Sequence, residues 1–331
     1  MNRKSPGLKL SKAIPGFLNY KSAEGLSPRT IYSYRRDLEL WLTYQDDVDI
    51  REVTSRDLRD YLNYLRTEYT PRRLTGNNDK PLSSKTIRNV WVSLSSFFSW
   101  ACIEFEILNP MKKVPAPKFT NPPVEPFTKE EIEAILKVCD FCKEAQTTDR
   151  RKFTMRRPTA RRDRAIILTL LDTGLRATEL CSLRIDDVDL KTGKTNVRHS
   201  ISGGAKGGKG RVVFMGKVTR RTVWRYLAER EDGEDPDAPL FVSKSSRPLN
   251  KDSLRLVVKY LAKKADIKKC YPHRFRHTFA ITYLRAGGDV FTLQMLLGHS
   301  SLDMVKRYVR IADIDLERAH RIASPADNWR L

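Results

Sequence analysis

Tyr271-Pro272-His273-Arg274-Phe275-Arg276-His277-Thr278-Phe279, then Leu296-Leu297-Gly298-His299-Ser300, then Tyr308 nine residues after His299: the reading of this chain turns on that stretch. His273 and Arg276 are three residues apart, so on a helix they share one face. Pro272 suits the first turn of such a helix, where a missing N–H costs little. Imidazoles, guanidiniums and a tyrosine within so short a span can handle a phosphate. A second arginine lies upstream, in Asp172-Thr173-Gly174-Leu175-Arg176-Ala177-Thr178-Glu179-Leu180.

Around this stretch lie 331 residues, a length that accommodates about two domains, and 40% of them are hydrophobic, enough for real cores. The formal charge is +22, from 62 Lys and Arg against 40 Asp and Glu. An excess of that size, spread over the whole chain, favours a polyanionic partner and nucleic acid in particular, because each cation placed on a phosphate releases counterions. The five cysteines, at 102, 139, 142, 181 and 270, are an odd number without a secretion signal, which points to a reducing compartment. Cys139-x-x-Cys142 has redox or zinc spacing, but no second pair follows, and it falls in a helical pattern with Ile132, Ile135 and Val138, so core thiols are expected. No stretch approaches the ~18 apolar residues of a membrane span, and no signal-peptide run opens the chain. A cytoplasmic, nucleoid-associated protein is expected.

Residues 1–10 read as a basic, mobile tail. Ser27-Pro28 then supplies an N-cap and a first helical residue for a helix with Ile31, Tyr34, Leu38, Trp41 and Leu42 at helical spacing. Thr54-Ser55-Arg56-Asp57 opens a second helix through Leu58, Tyr61, Leu62 and Leu65. Residues 70–82, rich in Gly, Asn and Pro, read as a basic loop. Ser83-Ser84 opens a third helix through Ile87, Val90, Trp91, Leu94, Phe97 and Phe98, which stops near Asn109-Pro110. The result is a helical domain over 1–112. Five prolines crowd the next stretch and mark 113–127 as a stiff, extended linker. Thr128-Lys129-Glu130-Glu131 is a capping box opening a second domain, 128–331. Within it, 143–163 reads as a polar, heavily basic loop, Ala165 to Leu171 as an apolar helix, 185–215 as strands and turns, and the remainder as helices interrupted by Gly287-Gly288 and Gly298. Cations expected to face DNA are Arg29, Arg35, Arg36, Arg72, Arg73, Lys85 and Arg88 in the first domain, and Arg156, Arg157 and Arg211 in the second.

The chemistry follows from residue types. Arg176 and Arg276 each present a planar fork matched to phosphate oxygens, able to neutralise charge as a phosphodiester becomes pentacoordinate. Glu179, one turn after Arg176, can brace it. Tyr308 is the candidate nucleophile; His299, Arg276 and Arg307 are candidate neighbours that would stabilise its phenolate. Lys206, in the Gly-rich turn Ala205-Lys206-Gly207-Gly208-Lys209-Gly210-Arg211, can reach a minor groove and protonate a leaving 5′-oxygen. The turn lacks the Gly-Lys-Ser/Thr of a P-loop, and no acidic cluster suited to Mg²⁺ accompanies these residues.

Taken together, Thr-Gly-Leu-Arg-x-x-Glu-Leu, Lys-Gly-x-Lys-x-Arg, His-x-x-Arg-His-Thr-Phe, Leu-Leu-Gly-His-Ser and a tyrosine nine residues on resemble the tyrosine recombinase, or phage integrase, family in order and spacing as well as in residue type. The match covers 128–310 strongly; the N-terminal domain resembles the family's SAM-like core-binding domain more weakly. The resemblance implies a mainly α fold with a small antiparallel β-sheet in the catalytic domain, the two domains forming a C-shaped clamp around DNA. It implies that Tyr308 attacks the scissile phosphate to give a 3′-phosphotyrosyl link, that Arg176 and Arg276 clamp the phosphate, that Lys206 is the general acid, that His273 assists proton transfer and that His299 hydrogen-bonds the phosphate. Glu179 and His277 become supports. The segment between Arg176 and Lys206 is longer than in compact relatives, around His199 to Gly204, which leaves Lys209 as the alternative acid. No cofactor, metal or nucleotide is implied, because the phosphotyrosyl link conserves the bond energy. The implied partners are double-stranded DNA with paired recombination sites and three further copies of the chain, a homotetramer on synapsed DNA formed from a free monomer or weak dimer, with a DNA-bending or directionality factor as a possible accessory and no membrane. Ile311, Ile314, Leu316 and Ala319 lie where the family packs a C-terminal helix onto a neighbouring subunit. The expected function is site-specific recombination through a Holliday junction, for integration, excision or transposition of a mobile element. Chromosome or plasmid dimer resolution, type IB topoisomerase relaxation and a non-catalytic DNA-binding accessory are the alternatives.

Overall fold

The computed structural model describes residues 8–72, 80–120, 125–140, 145–147, 150–153, 157–198 and 210–299, together with positions 302, 305, 308, 309 and 324. The chain divides into two compact units at Pro122 and Pro123.

The first unit is helical: α1 (Leu10–Ala23), α2 (Pro28–Gln45), α3 (Ser55–Thr67), α4 (Ser84–Glu104) and a 3-10 turn, Pro110–Lys113. Local chemistry sets the starts of α2 to α4. Ser27 accepts from the Thr30 N–H, Thr54 and Asp57 form a reciprocal capping box, and Ser83 accepts from the Thr86 N–H. Helix α1 corrects the sequence reading, which placed a tail up to residue 10 and then no helix before Ser27. Leu10, Ala13, Ile14, Phe17 and Leu18 form its buried stripe, while Pro15 lies inside it and hides the pattern. Nor is the chain loose just before α1, since the Leu8 N–H donates to Asp49 and the Leu10 N–H to the Val48 carbonyl. Phe17, Leu38, Trp41, Tyr61, Phe97 and Phe98 close the core, with Trp41 and Phe98 edge-to-face at 5.5 Å.

The proline-rich segment does not depart freely at residue 113. Val114 is buried in the first core, its carbonyl accepts from the Trp91 indole, and the Pro117 carbonyl accepts from Arg88. Further on, Phe127 enters the second core, and the Glu125 and Pro126 carbonyls accept from Arg274.

The second unit runs α5 (Lys129–Asp140), β1 (Ala145–Thr147), β2 (Arg150–Phe153), α6 (Ala160–Thr173), α7 (Ala177–Ser182), β3 (Lys194–Val197), β4 (Arg211–Phe214), α8 (Lys217–Leu227), α9 (Lys251–Lys264), α10 (Pro272–Arg285) and α11 (Val290–Leu297). Thr128 and Glu131 form the capping box that starts α5. Helix α6, with Ile166, Ile167 and Leu170 fully buried, is the central post against which α5, α8 and α10 pack. The small sheet pairs β3 and β4 antiparallel, Lys194 opposite Phe214 and Val197 opposite Arg211. A separate cluster joins Ala280, Ile281 and Leu284 of α10 to Leu293 and Leu297 of α11, and to Val305 and Tyr308.

The stretch 143–163, expected to be a loop, contains the antiparallel pair β1–β2 and the start of α6. Its basic character does not mean exposure throughout. The Arg157 and Arg162 guanidiniums each donate to Asp163 at 2.7 Å inside the core, and Thr159 donates to the same carboxylate. Two cations meeting one carboxylate make a buried cluster whose lone pairs are satisfied, which is the condition for burying charge at all. Cys139 is likewise a core residue, its thiol pushed up to about 12 by burial; Cys142 lies outside the described residues.

Candidate active site

Two helix C-termini organise the site. Helix α6 ends at Gly174 and α11 at Gly298, both left-handed, with φ of 62° and 61°. A Cβ on Gly174 would stand 2.5 Å from the Phe279 ring, so both the turn and the packing require glycine there. The last carbonyls of a helix have no partner within it and carry the negative end of its dipole. Here they hold guanidiniums. Arg276 donates through Nη1 to the Gly174 carbonyl (2.9 Å) and through Nη2 to the Leu297 carbonyl (2.6 Å). Arg176 donates to the Gly298 carbonyl at 3.2 Å. Arg211 donates to the Leu296 carbonyl at 2.7 Å.

Glu179, on α7, ties two of these cations together. Its Oε1 accepts from Arg176 (2.7 Å) and from Arg211 (2.8 Å), and its Oε2 accepts from Arg211 and from the Arg176 backbone N–H, both at 2.7 Å. Burial would raise this carboxyl, but the Arg211 fork and then Arg176 outweigh it and pull it down to about 2. Its stabilising contribution is therefore present above its unfolded value of 4.5 and is lost as the pH falls toward 2, on the order of 3 kcal/mol in all. Glu179→Gln is expected to destabilise the protein by about 3 to 5 kcal/mol near neutral pH, because two partly buried guanidiniums lose their counter-charge. In urea titrations across pH, the gap between wild type and variant should narrow below about pH 4.5. A gap that stays constant down to pH 3 would mean that the carboxylate does not carry this linkage.

Arg276, on α10, is fully buried. Burial first and the Arg176 cation second push it down to about 9, which leaves it protonated at neutral pH in a place that an anion would relieve. Its Nη2 also donates to His299 Nε2 at 2.8 Å. Since a guanidinium only donates, Nε2 is an acceptor, and the His299 proton sits on Nδ1. Burial, followed by Arg276, Arg176 and Arg211, lowers His299 to about 4, so the ring is neutral. Arg276 Nε and His299 Nδ1 are both buried without a hydrogen-bond partner. Each is an N–H donor, and together they can serve the oxygens of a tetrahedral anion.

Tyr308 is 2% exposed, and its hydroxyl meets His277 Nδ1 at 2.8 Å. Its ring stacks with that of His299 at 6.3 Å. His273, one turn before His277 on α10, is exposed and sets its ring edge-on to His277 at 4.5 Å. The protein packed around one side of the ring, then Arg276 and Arg176, lower the His273 pKa. The fold thus brings Arg176, Glu179, His273, Arg276, His277, His299 and Tyr308 together from four segments of the chain. Lys206 and Lys209 lie outside the described residues, as do Arg307, Ile311, Ile314, Leu316 and Ala319.

Three expected DNA contacts prove to be engaged within the protein. Arg211 belongs to the site as the bidentate partner of Glu179; its position at the start of β4 carried no sign of this in the sequence. Arg157 is held by Asp163, with its guanidinium over the Tyr260 ring. Arg88 lies over Trp91 and donates to the Pro117 carbonyl. Arg29, Arg35, Arg36, Arg72 and Lys85 are exposed, Arg36 also pairing with Asp37, while Arg73 and Arg156 lie outside the described residues. Among the described residues, no group of three His, Cys, Asp or Glu side chains could hold a metal ion, and no helix is long and apolar enough to cross a membrane.

Residues 125–314 match the phage integrase family, and residues 14–104 match the phage integrase N-terminal SAM-like domain. The tyrosine recombinase XerA of Pyrococcus furiosus is 31% identical over 96% of this chain and 96% of its own length. The tyrosine recombinase XerC of Staphylococcus haemolyticus is 28% identical, over 93% of this chain and 95% of its own. Among solved structures, the Tn1549 transposon integrase in complex with a circular intermediate DNA has the same fold, with a TM-score of 0.70 at 22% identity over 91% of this chain and 95% of that one.

Proposed function

Because this chain belongs to the phage integrase family of tyrosine recombinases, we propose that its site breaks and rejoins DNA strands through Tyr308. The Tyr308 oxygen attacks a backbone phosphorus, the bond to the 5′-oxygen breaks, and a 3′-phosphotyrosyl link and a 5′-hydroxyl result. Arg176 and Arg276 hold the non-bridging oxygens, and the neutral His299 donates its Nδ1–H to one of them. Lys206, with Lys209 as its alternative, gives the 5′-oxygen its proton. His273, exposed beside the reacting centre, assists proton transfer. The observation that carries this reading is the pair of buried, unpartnered donors, Arg276 Nε and His299 Nδ1, in the cluster that also holds the Tyr308 ring.

The reverse attack, by a 5′-hydroxyl from another strand, restores the backbone and frees Tyr308. No nucleotide is needed, because the phosphotyrosyl bond keeps the energy of the bond it replaced. Each chain supplies one such tyrosine, and exchange of two duplexes breaks four strands, so the working assembly is a homotetramer on synapsed DNA, reached through a Holliday junction. The exposed Arg29, Arg35, Arg36, Arg72 and Lys85, within a net charge of +22, supply sequence-independent attraction to the backbone. Movement of a mobile element and resolution of chromosome or plasmid dimers share this chemistry and differ in where the paired sites lie.

The test is a supercoiled plasmid carrying the DNA that flanks the gene, incubated with the protein in EDTA. A protease-sensitive 3′ adduct followed by reciprocal junctions is the expected result, and sequencing the junctions identifies the site. Relaxed circles with an adduct but no new junctions would favour the type IB topoisomerase reading, or a recombinase lacking its second site or an accessory partner. Strict dependence on Mg²⁺ would overturn the mechanism.

A further inference from the structure

We infer that Arg274 is a positioning residue for strand cleavage: it seats the start of α10 on the end of the proline-rich segment and so sets where the fork of Arg276 stands. The inference rests on the reading of Arg276 as a phosphate clamp. Arg274 lies between His273 and Arg276 in the chain, yet it shares no hydrogen-bond partner with Arg276.

Its Nε donates to the Glu125 carbonyl at 3.0 Å. Nη1 donates to the Lys269 carbonyl (2.7 Å) and to Glu131 Oε1 (3.1 Å). Nη2 donates to the Pro126 carbonyl (3.1 Å) and to Glu131 Oε2 (2.7 Å). A guanidinium has five N–H donors, and all of them are engaged here. The side chain is 6% exposed, and its guanidinium lies over the Phe127 ring at 3.9 Å. Arg274 therefore has no donor left for DNA; what it holds is the protein around the site.

The start of α10 depends on this anchor. Tyr271, at the N-cap, supplies no side-chain cap, so the first turn is fixed from within by Arg274. Thr278, four residues on and on the same face, extends the seat: its hydroxyl accepts from the Phe127 N–H at 2.8 Å and donates to the Arg274 carbonyl. Phe275 sets its ring against Phe127 at 4.6 Å. Residues 125–127 are thus bound along one side of α10, while His273 and His277, also four apart, share another. Glu131 Oε2 accepts from the Thr128 N–H as well, so a single carboxylate fixes the starts of both α5 and α10. A helix that loses such a seat shifts as a body, and Arg276 shifts with it. A misplacement of about 1 Å at a reacting group can cost about 100-fold in rate.

Single-turnover adduct formation by the full chain, at saturating protein and well below the melting temperature, tests this on two duplexes. One carries the ordinary scissile phosphate. The other carries a methylphosphonate there, in which a methyl group replaces one non-bridging oxygen and the charge is gone. An uncharged linkage has less need of a cationic clamp, so a defect in placing Arg276 shrinks on it, whereas a loss of stability alone is equal on both. Arg274→Met removes every donor and keeps the unbranched stem. It should slow cleavage of the phosphate duplex about 30-fold or more and recover at least about tenfold of that loss on the methylphosphonate, each compared with wild type on the same duplex, with DNA affinity kept. Arg274→Lys keeps a buried charge beside Glu131 but cannot hold three carbonyls. It should show the same split at smaller size, and it carries the readout should the methionine variant fail to fold. An equal loss on both duplexes, or a loss under about threefold on the phosphate, would make Arg274 a residue of stability alone and sink the inference. Arg276→Ala run alongside keeps the underlying reading separate. If it gains on the methylphosphonate and Arg274→Met does not, only the positioning role falls; if Arg276→Ala gains nothing, the clamp itself is wrong and the positioning role falls with it.

Discussion

Tyr308→Phe should bind DNA as wild type does and form no covalent adduct at any time or pH. The substitution removes one oxygen from a ring that is almost wholly buried, so packing of Val305 and Tyr308 against Leu293, Leu297 and Ile281 is retained. What is lost is the hydrogen bond to His277 and the only atom of this side chain able to bond to phosphorus. The stability change is therefore small, about 1 kcal/mol, with His277 left to find another partner. The effect on cleavage is total, because no protonation state of a phenylalanine replaces the missing nucleophile. Denaturing gels with and without protease, run beside a melting curve, check both halves of this expectation. An adduct in the Phe variant at even a few percent of the wild-type level would assign the attack to a different residue.

Arg276→Ala should lower the rate of adduct formation by about 10³ to 10⁵, the range measured when an arginine is taken from a phosphoryl-transfer site. Two losses combine here. The buried fork no longer offers Nε–H to the phosphate, and His299 loses the Arg276 donor that keeps its proton on Nδ1. The substitution also leaves the carbonyls of Gly174 and Leu297 without their donor at two helix ends, so thermal stability should fall as well. Arg276→Lys separates charge from geometry. A lysine restores one positive charge on a flexible stem, but it cannot reach both carbonyls and His299 and still present a further donor. It should recover no more than about tenfold over alanine. Single-turnover adduct formation at saturating protein measures the chemical step, and gel shifts confirm that DNA is still bound. An alanine variant within tenfold of wild type would move the phosphate clamp away from Arg276.

Four of the helix starts can be read directly from the amino-acid order. Ser27-Pro28, Thr54-x-x-Asp57, Ser83 and Thr128-x-x-Glu131 announce them, because a cap is a contact between residues three apart, which a linear sequence displays. The buried stripes of α3 and α4 are equally plain from their period. Helix α1 escapes such a reading although its apolar residues are correctly spaced, because local propensity speaks against a proline that the tertiary packing of Ile14 and Phe17 overrides.

The site divides along the same line. Residue types and their order define which chemistry the chain can carry, and Arg176, His273, Arg276, His299 and Tyr308 all stand out from spacing and resemblance. What each of them touches is a property of the folded chain. Arg211, expected to contact DNA, is fastened to Glu179 across 32 residues of chain. Arg157 carries the same formal charge as the exposed Arg29, yet it lies against a buried aspartate. Tyr308 meets His277, a residue 31 positions away whose place in the sequence marks it only as a support. The physical reason is that charge and residue type belong to one residue, whereas burial, hydrogen-bond partner and tautomer belong to a pair or a cluster. Such groups are assembled by packing α6 and α11 against α10, and no local pattern encodes them.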